Sequence, residues 1–208
     1  MNRGVFITLE GIDGAGKSTQ LGFIASYLNK AGVDFIVTRE PGGTPLGEEV
    51  RSILLKPREG GVTAKAELML ILAARVEHLQ RKIIPALEFG QWVLCNRFTD
   101  ATYAYQGGGR QLNQNLIKDL EAVIHNQLHP DVTIYLDLPV EIGLERARQR
   151  AKPDRFELER AEFFNRVRAC YQERARSYPD VFRIIDASQN IDDVQMQIRE
   201  ILDKLTTI

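Results

Sequence analysis

The segment Gly11-Ile12-Asp13-Gly14-Ala15-Gly16-Lys17-Ser18 satisfies the pattern G-x-x-x-x-G-K-[ST] and follows directly on the apolar run Val5-Phe6-Ile7-Thr8-Leu9. A strand that passes into a helix through such a loop leaves the chain few architectures. The glycines wrap the backbone around an anion, and the helix has to begin where the loop ends. The same arrangement specifies a nucleotide site. Loop N–H groups point at the β- and γ-phosphates, the helix adds its positive end, Lys17 supplies a mobile charge, and Ser18 offers a hydroxyl to Mg²⁺. ATP or GTP is the expected ligand.

Beyond the loop, short β-rich runs alternate with amphipathic stretches. Strands are expected at Val5 to Leu9, Phe35 to Thr38, Trp92 to Cys95, Val132 to Leu136 and Phe182 to Ile185. Helical patterns start near Lys17, Pro45, Ala64, Asn113, Val140, Phe156 and Ile191, the third running to Leu87. Five strands separated by helices imply an α/β chain with a parallel sheet, whose right-handed crossovers put the loops after the strands on one edge. The 208 residues suit one domain, residues 1–208. A net charge of -1 gives no reason to expect nucleic acid or a membrane surface as partner. No apolar run approaches the roughly twenty residues that span a bilayer. Cys95 and Cys170 make neither a disulfide framework nor a zinc site, and no basic-then-apolar segment opens the chain. A reduced cytoplasm is the expected compartment.

The loops on the ligand edge carry the remaining signals. Arg39-Glu40-Pro41-Gly42-Gly43-Thr44 follows the second strand as a βα turn with Thr44 as N-cap, and it either faces a substrate or only turns the chain. Arg75 sits on an apolar helical face, where an arginine forms a structural ion pair or contacts a ligand. After the third strand comes Asn96-Arg97-Phe98-Thr99-Asp100-Ala101-Thr102, then Tyr103-Ala104-Tyr105-Gln106-Gly107-Gly108-Gly109-Arg110. The phosphate loop, the Arg-Glu-Pro-Gly-Gly-Thr turn, Ala73-Ala74-Arg75 and Ala104 to Arg110, in this order and spacing over nearly the whole chain, resemble bacterial thymidylate kinase.

That resemblance implies transfer of the γ-phosphoryl group of ATP to dTMP on a P-loop kinase fold with a short lid, five parallel strands flanked by helices, in a homodimer. Its implications for residues are specific. Gly11 to Ser18 and Thr19 hold ATP, with Lys17 on the phosphates. Arg97 reaches the dTMP phosphate, and a guanidinium grips two phosphate oxygens in fixed orientation where lysine cannot. Arg75 reads the thymine ring, Asp13 lies near the sugar 3′-hydroxyl, Thr102, Tyr105 and Gln106 contact base and sugar, and Tyr105 leaves no room for a 2′-hydroxyl. Glu40 and Pro41 complete the substrate set. Ala187, in Asp186-Ala187-Ser188-Gln189, borders adenine through its backbone, although this loop serves equally as the N-cap of the last helix.

The lid is expected at about residues 146–156, where five basic residues crowd around Pro153. The phosphate loop holds no arginine, so within this family the lid supplies one: Arg150 matches best, with Arg148 and Arg155 in reserve. Closing it would exclude water from the transferring group.

Three departures stand out. Relatives often stack a phenylalanine on thymine one turn before the arginine, whereas this chain has Ile71 and Leu72, either covering the base or simply in the core. They often follow the arginine after the glycines with another glycine, whereas Gln111 stands here. They usually carry aspartate before Arg97, holding Mg²⁺ directly or through water. Asn96 keeps that shape and loses the charge, and a neutral amide oxygen is a poorer partner for a hard cation. Asp137 also ends an apolar strand and rivals Asn96 as metal ligand; the family pattern favours position 96. A kinase for another nucleoside monophosphate, or a nucleotide-binding module impaired by Asn96, are the alternatives.

Overall fold

The computed structural model describes residues 3–125, 128–149 and 154–206. Five strands, β1 (Phe6–Glu10), β2 (Phe35–Arg39), β3 (Trp92–Asn96), β4 (Val132–Asp137) and β5 (Phe182–Asp186), form an all-parallel sheet in the order β2-β3-β1-β4-β5. Parallel neighbours need crossovers, and helices supply them. Helix α1 (Lys17–Lys30) links β1 to β2; α2 (Pro45–Leu55), α3 (Ala64–His78) and α4 (Ile84–Glu88) link β2 to β3; α5 (Thr99–Thr102) and α6 (Gln114–His125) link β3 to β4. Helices α7 (Val140–Arg148) and α8 (Ala161–Ser177) precede β5, and α9 (Ile191–Thr206) follows it.

Alternation along the strands distributes the core to both faces of the sheet. Ile7, Leu9, Leu94 and Ile134 join Ile24, Leu28 and Ile198 on one side. Phe6, Val93 and Cys95 join Leu79, Ile83 and Phe98 on the other.

All five strands run one residue past their expected ends, to Glu10, Arg39, Asn96, Asp137 and Asp186, and β1 starts at Phe6 rather than Val5. The cause is the same throughout. A polar side chain ends an apolar run in the sequence, yet in a sheet covered on both faces the carboxyl edge is where such a side chain can reach a ligand or partner. Pairing places Asn96 beside Leu9 and Arg39, and Asp137 beside Asp186, so these ends form one polar border.

The helices differ in three places. The stretch Ala64 to Leu87 is broken by a π-helical turn, Leu79–Ile83, ahead of Pro85, whose ring and missing N–H a continuous α-helix would not accommodate. The helix expected near Phe156 starts at Ala161, because the Asp154 carboxylate accepts the N–H groups of Phe156 (2.8 Å) and Glu157 (3.0 Å) and holds a turn. Helix α5, continued by π-helical turns over Tyr103–Gly109, was not expected through three consecutive glycines. Those glycines serve close approach: a Cβ on Gly108 would stand 2.8 Å from the Arg166 carbonyl oxygen, and one on Gly109 2.4 Å from the Phe163 ring.

The same segment explains the cost of Gln111. It takes φ +60°, the left-handed conformation in which glycine is free of the Cβ penalty. Gln111→Gly is expected to raise stability by about 0.5–1 kcal/mol, the relief of that penalty less the added chain entropy of glycine, with turnover unchanged. Urea denaturation beside a steady-state assay checks both.

Candidate active site

The phosphate loop is built by left-handed glycines. Gly16 caps α1 at φ 87°, and no acidic residue or side-chain cap occupies the first turn, which leaves its N–H groups facing the loop. A Cβ on Gly14 would collide with the Gly143 carbonyl oxygen at 1.9 Å, so the loop seats directly on α7. Ile12 and Ala15 bury their side chains in the core beneath. The Lys17 ammonium donates to the carbonyls of Gly11 (2.9 Å) and Ile12 (2.7 Å), while Ser18 and Thr19 stay exposed on the first turn.

Beside the loop opens a cavity of about 600 Å³, counting its mouth, lined by Asp13, Glu40, Pro41, Arg75, Arg97, Thr102, Tyr105 and Gln106 among others. Every acceptor residue expected from the sequence is thus on one wall or another. Arg97 is its centre: the guanidinium donates to Asp13 Oδ1 (2.8 Å) and the Tyr105 hydroxyl (2.8 Å), and lies 4.5 Å over the Tyr105 ring. Tyr105 in turn donates to Asp13 Oδ2 at 2.8 Å. Burial pushes the Asp13 carboxyl up, but Arg97, Lys17 and these hydrogen bonds outweigh it and hold the group below the ordinary range. Asp13 therefore ties the phosphate loop to the acceptor wall as an anion.

Arg75 forms the ion pair and also lines the cavity. Its Nε donates to Glu40 Oε2 at 2.6 Å and a terminal nitrogen to Thr102 Oγ1 at 2.9 Å, with the guanidinium 5.0 Å from the Phe98 ring centre, and it still lines the cavity. His78 meets the other Glu40 oxygen at 3.1 Å. Gln106 donates to the fully buried Glu67 at 2.8 Å. Ile71 lines the cavity, and Leu72 belongs to the core.

Glu67 also corrects the lid. Arg155, expected among its arginines, is buried, with a guanidinium nitrogen 2.7 Å from Glu67 Oε2 and its Nε donating to the Leu54 carbonyl at 2.7 Å. It anchors the end of the expected lid to Glu67 and α2. Arg148 is exposed at the end of α7, and Arg150 lies outside the described residues. Across the donor edge, Arg146 donates to the Ala187 carbonyl at 2.9 Å, and the Ala187 N–H donates to the Asp137 carbonyl at 2.8 Å.

Asn96 ends β3 with its Oδ1 buried and without a hydrogen-bond partner, an acceptor beside the phosphate loop that protein groups leave unfilled. Asp137 is the opposite case: its carboxylate accepts from Tyr135 (2.8 Å), Arg168 (2.7 and 3.1 Å) and Gln172 (3.1 Å). Among the described residues no cluster of three His, Cys, Asp or Glu could cage a metal. One hydroxyl and one amide oxygen do fit Mg²⁺, which keeps most of its waters and takes other ligands from substrate phosphates.

Three participants were missed in the sequence. Arg51, on the helix after the Glu40-Pro41 turn, lines the cavity and donates to the Pro41 carbonyl at 3.0 Å. Phe156 lines it from the segment anchored by Arg155, edge-on to Tyr105 at 5.8 Å. Glu10 is fully buried at the end of β1, accepting the Phe98 N–H (2.7 Å) and the Tyr171 hydroxyl (2.6 Å). Burial and the neighbouring Asp100 carboxylate push its carboxyl up to about 7 against the pull of Arg97 and these donors. One signal pointed to Glu10, a lone charge closing an apolar strand just before the phosphate loop.

A left-handed glycine cradle after the central strand of a 2-3-1-4-5 parallel sheet, opening onto an arginine-walled acceptor cavity, defines a P-loop kinase. Residues 9–198 match the family model of thymidylate kinase. The chain is 54% identical over 200 residues to the thymidylate kinase of Teredinibacter turnerae, covering 96% of this chain and 98% of that one. It is 52% identical to that of Pseudomonas syringae pv. tomato, covering 97% and 96%. The crystal structure of thymidylate kinase from Ehrlichia chaffeensis superposes with a TM-score of 0.79 at 33% identity, covering 97% of this chain and 99% of that chain. The chain belongs to the thymidylate kinase family.

Proposed function

We propose that this chain transfers the γ-phosphoryl group of ATP to dTMP, giving dTDP and ADP for dTTP synthesis, with Arg97 as the group that joins donor and acceptor sites. The observation that carries the assignment of roles is the Arg97 guanidinium, bonded to Asp13 of the phosphate loop while lining the acceptor cavity. A dTMP phosphate gripped there presents an oxygen to the γ-phosphorus. The new P–O bond forms as the bond to the β,γ-bridging oxygen breaks, and ADP leaves with that electron pair. Little covalent help is needed, so the protein's work is positioning and charge neutralisation.

Lys17 and the N–H groups of residues 11–19 hold the ATP phosphates, and Ser18 and Asn96 hold Mg²⁺, which when bound draws charge from the phosphate oxygens. Arg75, Thr102 and Gln106 read thymine, Asp13 holds the 3′-hydroxyl, Tyr105 excludes a 2′-hydroxyl, and Glu40 and Pro41 fix the wall behind them. Arg148 and Arg150 serve the transferring group from the lid, while Ala187 and Arg146 border adenine. The chain works as a single domain in the cytoplasm; no described helix is long and apolar enough to cross a membrane. It pairs as a homodimer, as the family resemblance implies.

ADP formation from ATP and Mg²⁺, followed with and without dTMP, tests this function: turnover that ignores dTMP would overturn it. Within the cavity, Phe156 supplies aromatic surface where Ile71 replaces the stacking phenylalanine of relatives. Phe156→Ala is expected to raise KM for dTMP about tenfold, as loss of an aromatic contact would, leaving KM for ATP unchanged. Initial rates at varied dTMP and varied ATP separate the two.

A further inference from the structure

The proposed phosphate clamp has an unusual support. Arg97 is one of two non-glycine residues with positive φ among those described, at +69°. An arginine in that conformation persists only where its surroundings hold it. The peptide on its N-terminal side is fixed by the sheet, since Arg97 N–H donates to the Leu9 carbonyl at 3.0 Å. The peptide on its C-terminal side is held by a side chain: Phe98 N–H donates to Glu10 Oε1 at 2.7 Å. The other Glu10 oxygen accepts the Tyr171 hydroxyl at 2.6 Å, and that hydroxyl lies 3.3 Å from an Arg97 guanidinium nitrogen as its acceptor.

We infer that Glu10 is a positioning residue for phosphoryl transfer, one carboxylate that sets the backbone of Arg97 through Phe98 and aims its guanidinium through Tyr171. Glu10 lines no part of the acceptor cavity, so it acts only through Arg97, and the inference rests on the clamp reading of that residue. Two contacts from one rigid, fully buried side chain define both ends of the arginine. The remaining donors are then free to face Asp13, Tyr105 and a phosphate. Tyr171 belongs to α8, 161 residues away, which makes the aim of the clamp depend on the seating of the helix that follows the lid.

The test uses Glu10→Gln and Tyr171→Phe, nearly isosteric changes. Glutamine still accepts the Phe98 N–H but offers an NH₂ group to the Tyr171 O–H, which then has no acceptor; phenylalanine removes the guanidinium support alone. Each is expected to lower kcat about tenfold, the worth of one charge-assisted hydrogen bond, with KM for ATP unchanged and thermal stability retained. In an Arg97→Lys background, where the fork to be aimed is gone, the same changes should add less than twofold, because residues acting through one another are not additive. Full additivity, or wild-type kcat with only a lowered Tm, overturns the inference and leaves the clamp standing. If Arg97→Lys itself turns over normally, the clamp reading falls and the inference with it.

Discussion

Arg97→Ala lowers kcat by about 10²–10³-fold, the loss expected when one preorganised cationic donor is removed from developing charge, and it does so without changing KM for ATP. Phosphoryl transfer asks the protein for alignment and charge, and Arg97 is placed to give both. Its guanidinium is already oriented by Asp13, Tyr105 and Tyr171 before a phosphate arrives, so little reorganisation accompanies binding. Alanine would also strip Asp13 of the largest attraction holding its carboxyl down, and burial would then raise it. The readout is the split between constants. A fall in kcat means the arginine is used in the transition state, whereas a rise in KM for dTMP at constant kcat would reduce it to ground-state binding. Arg97→Lys restores charge but not the two-pronged grip, and should recover only part of the loss.

How much of this site the sequence reveals depends on whether a requirement is local. The phosphate loop is contiguous, its glycines, lysine and serine at fixed spacing, and it reads in full. The wall residues Arg75, Thr102, Tyr105 and Gln106 were placed by resemblance, and the cavity brings them together. What stayed hidden involves partners far apart in the chain. Glu10 and Tyr171 have no mark of pairing across α8, and Arg155 among lid arginines looks like any other until Glu67 claims it. For Arg75, ion pair and ligand contact were opposed in the sequence, but a guanidinium has enough donors for Glu40, Thr102 and the cavity at once. The helix through Gly107, Gly108 and Gly109 was invisible because glycine lowers helical propensity, while contact with α8 outweighs it.

Asn96→Asp lowers the Mg²⁺ concentration for half-maximal rate by about 10–100-fold, the range seen when a group orienting a metal or its waters is gained or lost. The Asn96 backbone carbonyl accepts the Glu40 N–H at 3.0 Å and keeps the residue in β3, so the substitution changes charge without moving the chain. Its Oδ1, buried and without a partner, already stands as an unfilled acceptor on the polar border of the sheet. A carboxylate there accepts on both oxygens from the waters of a hydrated cation; an amide accepts on one and turns its NH₂ toward them with opposed polarity. The added negative charge has a cost, because it joins Glu10, whose carboxyl burial and then the Asp100 carboxylate already push up to about 7. The gain should therefore appear mainly in the Mg²⁺ dependence and less in stability. Calorimetric titration of Mg²⁺ and nucleotide into both proteins measures the cation's contribution apart from turnover. Equal Mg²⁺ affinity and equal rates would leave the ion to Ser18 and the substrate phosphates alone, with position 96 serving only to end its strand.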